Sequence, residues 1–179
     1  MSKIFLDLTE LFDRRIPLKS PILEQGKNLR WGRTEGKNSF KPVKRGEAEF
    51  VFSGNKQKID HLECDSQILE VGGRPTRSVL IAGGCRWGYF KEDFRLEFAD
   101  GRAEIFTVCL SDMGFPLDEI LKGLSGTDKM VYAGKCRAFD IFNSGGEKQF
   151  MFYCKKDLEK PGVLERICFP DNCFMKIFA

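Results

Sequence analysis

Residues 83–90, Gly-Gly-Cys-Arg-Trp-Gly-Tyr-Phe, form the segment of this sequence best equipped to touch another molecule. Arg86 brings a planar fork of donors, and Trp87 and Tyr89 bring ring faces with a polar handle. The glycines favour a loop, where binding groups concentrate. Such a set performs contact chemistry, stacking and paired hydrogen bonding, rather than bond cleavage. The competing reading is structural: Trp87 or Tyr89 plugs one end of the fold while the glycines serve tight turns. A second cluster, Asn28-Leu-Arg30-Trp31-Gly-Arg33, repeats the Arg/Trp combination. It either folds over the same end or shields a sheet edge from pairing with another chain. The contact candidates are therefore Arg30, Trp31, Arg86, Trp87 and Tyr89.

No catalytic centre is readable beside them. The chain has a single histidine, His61, and the sequence nominates no nucleophile or orienting partner for it. No Asp or Glu pair stands out by spacing, which leaves an enzyme with dispersed carboxylates as the weakest reading. The nucleophile-elbow, zinc-protease, P-loop and dinucleotide fingerprints are absent. Asp65, Asp112 and Asp171 lack the spacing of a calcium loop and read as turn-formers. Seven cysteines occur, none in a C-x-x-C pair, so no metal or other cofactor is expected. Cys109, Cys154 and Cys168 lie in apolar runs and read as small core residues. Cys85, beside Arg86, is the one candidate for a reactive thiol.

Charge and hydropathy narrow the classes further. Twenty-nine Lys and Arg stand against 26 Asp and Glu, a net charge of +3. A basic window from Arg30 to Arg45 is diluted by Glu35, Glu47 and Glu49, so a solvated loop is expected there and no nucleic-acid partner. The longest uncharged apolar run, Ser78–Cys85, is far too short to span a membrane. Asp7 interrupts the opening apolar run, so no signal core is expected, and with the odd thiol count this predicts a reducing, cytoplasmic setting unless the chain is an excised domain.

The elements that must position these residues are strands. At 179 residues with no internal repeat or low-complexity linker, the chain reads as a single domain, 1–179, with 1–46 an irregular segment wrapping it. Phe94, Leu96 and Phe98 alternate with Arg95 and Glu97, the period of a half-buried strand. Asp100-Gly101 signals a two-residue hairpin returning along Ala103–Leu110. A second hairpin joins Ala138–Phe142 to Lys148–Cys154. Further strands are expected at Ala48–Phe52, Ile59–Cys64, Arg77–Ala82, Leu164–Phe169 and Phe174–Phe178. Helix is confined to a turn near Leu8–Phe12 and to Pro116–Lys122, opened by Pro and stopped at Gly123. Many short strands with little helix predict an all-β fold, an antiparallel β-sandwich. Seventeen of the 22 aromatics are Phe, which suits the space between two sheets.

The order of landmarks resembles a known family. Cys64-Asp-Ser-Gln-Ile-Leu-Glu-Val, Ser78-Val-Leu-Ile-Ala-Gly-Gly, Phe94–Gly101, Leu110-Ser-Asp112, Ile167-Cys-Phe-Pro-Asp-Asn and Lys176-Ile-Phe-Ala follow one another. This succession, over about residues 47–179, resembles the galactose-binding-like jelly-roll domains attached to bacterial glycoside hydrolases. Two positions depart from the pattern: Met113 stands where the family carries Trp, and Ala99 where it carries an aromatic before Asp-Gly. The resemblance implies a jelly-roll sandwich with loops at one end available to a sugar. A pyranose offers an apolar C–H face to Trp or Tyr and a rim of hydroxyls to Arg, Asn or Asp. The expectation is a non-catalytic carbohydrate-binding accessory module. The alternative is a structural or interaction domain that packs on a protein partner or on a second copy.

Overall fold

The computed structural model describes residues 43–45, 48–50, 54–55, 58–59, 62–124, 126–142 and 148–177. Arg30, Trp31, His61 and the turn expected near Leu8–Phe12 lie outside the described residues. Among the described residues the fold is antiparallel and all-β, with two short helices. Two minor ribbons come first: β1 (Val43–Arg45) pairs with β2 (Ala48–Phe50), and β3 (Gly54–Asn55) pairs with β4 (Lys58–Ile59). The main sheet holds β5 (Leu62–Asp65), β6 (Ile68–Cys85), β7 (Phe90–Phe98), β8 (Ala103–Leu110), β9 (Cys136–Phe142), β10 (Lys148–Cys168) and β11 (Asp171–Ile177). Its order is β5-β11-β6-β10-β7-β8, with β9 pairing β10 beside β7.

Two strands are longer than their sequence suggests. Gly72-Gly73 and Pro75 read as breaks, yet β6 runs through them. Between the pairs Glu70↔Arg166 and Arg74↔Leu164 it carries two more residues than β10, and both glycines take positive φ. The glycines thus absorb a bulge rather than make a turn. β10 bulges in its turn, with three extra residues between the pairs Asp157↔Ser78 and Gly162↔Thr76. These irregularities bend the β6–β10 ribbon. As a result Cys154, near the start of β10, meets the end of β8, its Sγ lying 3.2 Å from both N and O of Cys109.

The segment after β8 then draws the sheet round on itself. Cys85 N donates to Ser111 O at 2.8 Å, Met113 N to Cys85 O at 3.2 Å, and Phe150 N to Met113 O at 2.8 Å. The hydrogen-bonded path β6-β10-β7-β8 therefore returns to β6, and the core fills the enclosed space. Phe94, Leu96 and Phe98 from β7 and Phe106, Val108 and Leu110 from β8 are buried there, as their alternation requires. Phe169 meets Phe94 edge-on at 5.1 Å. The β7–β8 turn is not the expected two-residue type. Gly101 N donates to Phe98 O and Phe98 N to Arg102 O, with Gly101 at φ +80°, so Ala99–Gly101 form a three-residue loop with a glycine bulge.

α1 (Leu117–Gly123) begins one residue after Pro116 and matches its expected position. α2 (Gly126–Lys135) has no counterpart in the sequence reading. Its glycines and Val131 are poor helix formers. It is fastened by Tyr132, 1% exposed, whose hydroxyl donates to Leu110 O at 3.5 Å. Among the described residues no helix is long and apolar enough to cross a membrane.

Candidate functional site

Gly83 and Gly84 are strand residues, not turn residues. A Cβ on Gly83 would collide with the Lys176 carbonyl and Leu110, and one on Gly84 with the Met113 side chain. Their smallness permits close backbone approach within the sheet. Met113 is buried, with its side chain packed over Gly84. The loop proper is Arg86–Tyr89, between β6 and β7.

Trp87 does not plug the end of the fold. It is 73% exposed, and its backbone sits at φ +69°, one of two non-glycine residues with positive φ among the described residues. A left-handed backbone costs an L-residue roughly 1–2 kcal/mol. The conformation is held by Asp112: Trp87 N donates to Oδ2 at 3.0 Å, and Gly114 N donates to Oδ1 of the same carboxylate at 2.8 Å. Asp112 is thus a turn-former, as expected, and also a clamp between two loops 25 residues apart in sequence. Phe115 N closes the second loop on Asp112 O at 3.2 Å.

Other aromatics gather at this end. Arg86, half-buried, donates its backbone N to Phe174 O at 3.4 Å, which brings β11 against the loop. Phe174 stacks on Phe90 at 5.9 Å and 7°. Phe115 and Phe174 are 54% and 44% exposed. Tyr89, 47% exposed, rests edge-on against Tyr132 of α2 at 5.8 Å. Of the sequence candidates, then, the structure joins Arg86, Trp87 and Tyr89 on one loop. It adds Asp112, Phe115 and Phe174, which the sequence reading did not nominate. Phe115 follows a Gly and Phe174 sits in a strand, so nothing in the sequence marks either as exposed.

The thiols take no part. Cys85 is fully buried, and burial, reinforced by the neighbouring Cys64 and Asp112, pushes its thiol well above the ordinary range; it is not the reactive group its Arg neighbour suggested. Burial, with the charge of Glu92, lifts Cys64 to about 12. Cys109 and Cys154 are buried as expected, while Cys168 is only half-buried and Cys173 is exposed. Among the described residues no group of three or more metal-ligating side chains comes together. The arrangement exposes ring faces, with the Asp112 carboxylate already committed to two backbone amides. No family model matches the chain, and no curated protein matches it at a significant level.

Proposed function

We propose that this chain is a non-catalytic carbohydrate-binding module of the galactose-binding-like, jelly-roll kind, with the Arg86–Tyr89 loop as its contact end. One observation carries the reading: an indole held in water on a backbone that costs free energy to maintain, where burial would have been favourable. Trp87 offers the platform for a pyranose face, with Arg86 and the Tyr89 hydroxyl beside it for the hydroxyl rim. The free cysteines favour a reducing, cytoplasmic setting, where the ligands available are oligosaccharides rather than extracellular polymers. A second reading, a protein-interaction domain, is favoured by Phe115 and Phe174, which expose ring surface without a polar handle.

Calorimetric titration with a panel of neutral mono- and oligosaccharides tests the proposal. Binding in the millimolar to micromolar range, about −4 to −8 kcal/mol, is expected for wild type. Trp87→Ala is expected to lose it while keeping the wild-type circular dichroism spectrum. Absence of binding across the panel with a folded wild type would remove the carbohydrate reading. Concentration-dependent self-association lost on Phe115→Ser and Phe174→Ser would support the second.

A further inference from the structure

The strand that leaves the aromatic loop carries a second set of ligand-competent groups. Tyr89 and the β7 residues Lys91 and Asp93 alternate along one face, away from the core that receives Phe94. Thr107 of β8 stands directly opposite Asp93, and its hydroxyl donates to Asp93 Oδ1 at 2.7 Å. α2 lies alongside and supplies Val131 and Lys135. Together with Glu92 these residues line an open groove of about 450 Å³, within the range of small-molecule sites. Tyr89 comes two residues before Lys91 on the same face of the chain and packs on Tyr132 of α2, so it flanks the groove on the side of the loop.

The charges in this groove are balanced rather than of one sign. Lys91 pairs with Asp128 at 3.0 Å and Asp93 accepts from Thr107, whereas the Glu92 carboxylate, on the other face of the strand, accepts from Asn172 Nδ2 at 2.7 Å and adds no charge on the groove side. Lys135 makes no ion pair among the described residues. On this face Asp93 and Asp128 equal Lys91 and Lys135 in number, so neither an anion nor a cation is favoured. What the groove offers is donors and acceptors in close alternation beside one apolar wall, the complement of a neutral polyhydroxylated ring.

We infer that the groove is a second subsite continuous with the Trp87 platform, and that the ligand is a neutral oligosaccharide spanning both. This rests on the carbohydrate reading of the loop. At about 3.4 Å per residue, Asp93 lies roughly 14 Å along the strand from Tyr89, more than one sugar ring covers. A monosaccharide therefore engages the platform alone, and each added unit recruits the groove. Lys135 donates to a ring hydroxyl, and Thr107 Oγ1 and Asp93, their mutual hydrogen bond using the Thr107 proton, accept from sugar hydroxyls.

The experiment is a chain-length series of one neutral sugar, from monomer to tetramer. It is titrated into wild type, Lys135→Met and Thr107→Val, each verified as folded by circular dichroism. Wild-type affinity is expected to rise about tenfold or more from monomer to the longer chains. Lys135→Met and Thr107→Val are expected to erase about three- to tenfold of that gain while leaving monomer affinity unchanged. Lys135→Met, on an exposed helix face, keeps the test valid if the strand variant is unstable. Length-independent binding, or full length dependence in both variants, would overturn the subsite and leave the platform standing. No binding of any sugar, monomer included, would overturn the platform and the subsite together.

Discussion

Replacing Trp87 by Gly and by Ala separates the ring's role from the backbone's. Both variants delete the indole, so whatever packing its shielded quarter contributes is lost equally. Both keep the amide that donates to Asp112. They differ in one respect: Ala retains a Cβ at φ +69° and Gly does not. The left-handed penalty for an L-residue is about 1–2 kcal/mol, and the extra freedom of Gly in the unfolded chain returns roughly 0.4–1 kcal/mol of it. Trp87→Gly should therefore be more stable than Trp87→Ala by about 1 kcal/mol, or ~2–4 °C in Tm for a domain of this size. At an ordinary strand or helix position the order is reversed, with Gly the worse by about 0.5–1 kcal/mol. Urea unfolding followed by far-ultraviolet circular dichroism reads the difference as a shift in midpoint at constant m. Ligand binding should be lost equally in the two. A Gly variant no more stable than the Ala variant would refute the strained-platform reasoning, because the backbone would then hold no strain to release.

Four further expectations follow from the packing. Gly83→Ala drives a methyl into the Lys176 carbonyl and Leu110 and should cost about 3 kcal/mol or more, seen as a large fall in Tm. Asp112→Ala strips two backbone amides of a charged acceptor; a loss of about 1–3 kcal/mol and faster hydrogen exchange at Trp87 and Gly114 should accompany weaker binding. Alkaline stability should fall. Cys64 keeps its proton up to about 12 in the fold but ionises near 9 when unfolded, so between those values the native state binds more protons and stability drops as pH rises. That slope approaches ~1.4 kcal/mol per pH unit for this thiol, and urea midpoints for Cys64→Ala against wild type at pH 8 to 10.5 should show a flatter decline in the variant. Finally, a water-soluble aromatic disulfide reagent should titrate Cys173 promptly and Cys168 slowly in the native protein, the five buried thiols reacting only after denaturation.

Strand positions were legible where a single physical signal dominated. Phe94, Leu96 and Phe98 alternate with charges, and β7 follows; Ala103–Leu110 returns over the residues its pattern marks. Reading became ambiguous where glycine or proline served packing instead of turning. Gly72-Gly73 and the Lys160-Pro-Gly162 stretch look like breaks, yet both are bulges inside continuous strands. α2 was illegible because only Tyr132 is buried along it, leaving no apolar stripe of helical period. The groove was hidden with it, since Val131 and Lys135 form one of its walls. As for the loop, residue types pointed to Arg86, Trp87 and Tyr89. They left open whether Trp87 faces core or water, because an aromatic between Arg and Gly suits either. That choice depends on Asp112, a contact across 25 residues that no local pattern encodes.

The most direct measurement of the central claim is the emission of Trp87 itself. Trp31 is the only other tryptophan, so a Trp31→Phe variant reports from the loop alone. An indole exposed to water should emit at long wavelength and be quenched freely by iodide. Titration with neutral oligosaccharide should then produce a saturable blue shift and protection from the quencher. An emission already blue-shifted and shielded in the free protein, or an exposed indole that no sugar shifts or protects, would contradict Trp87 as a carbohydrate platform.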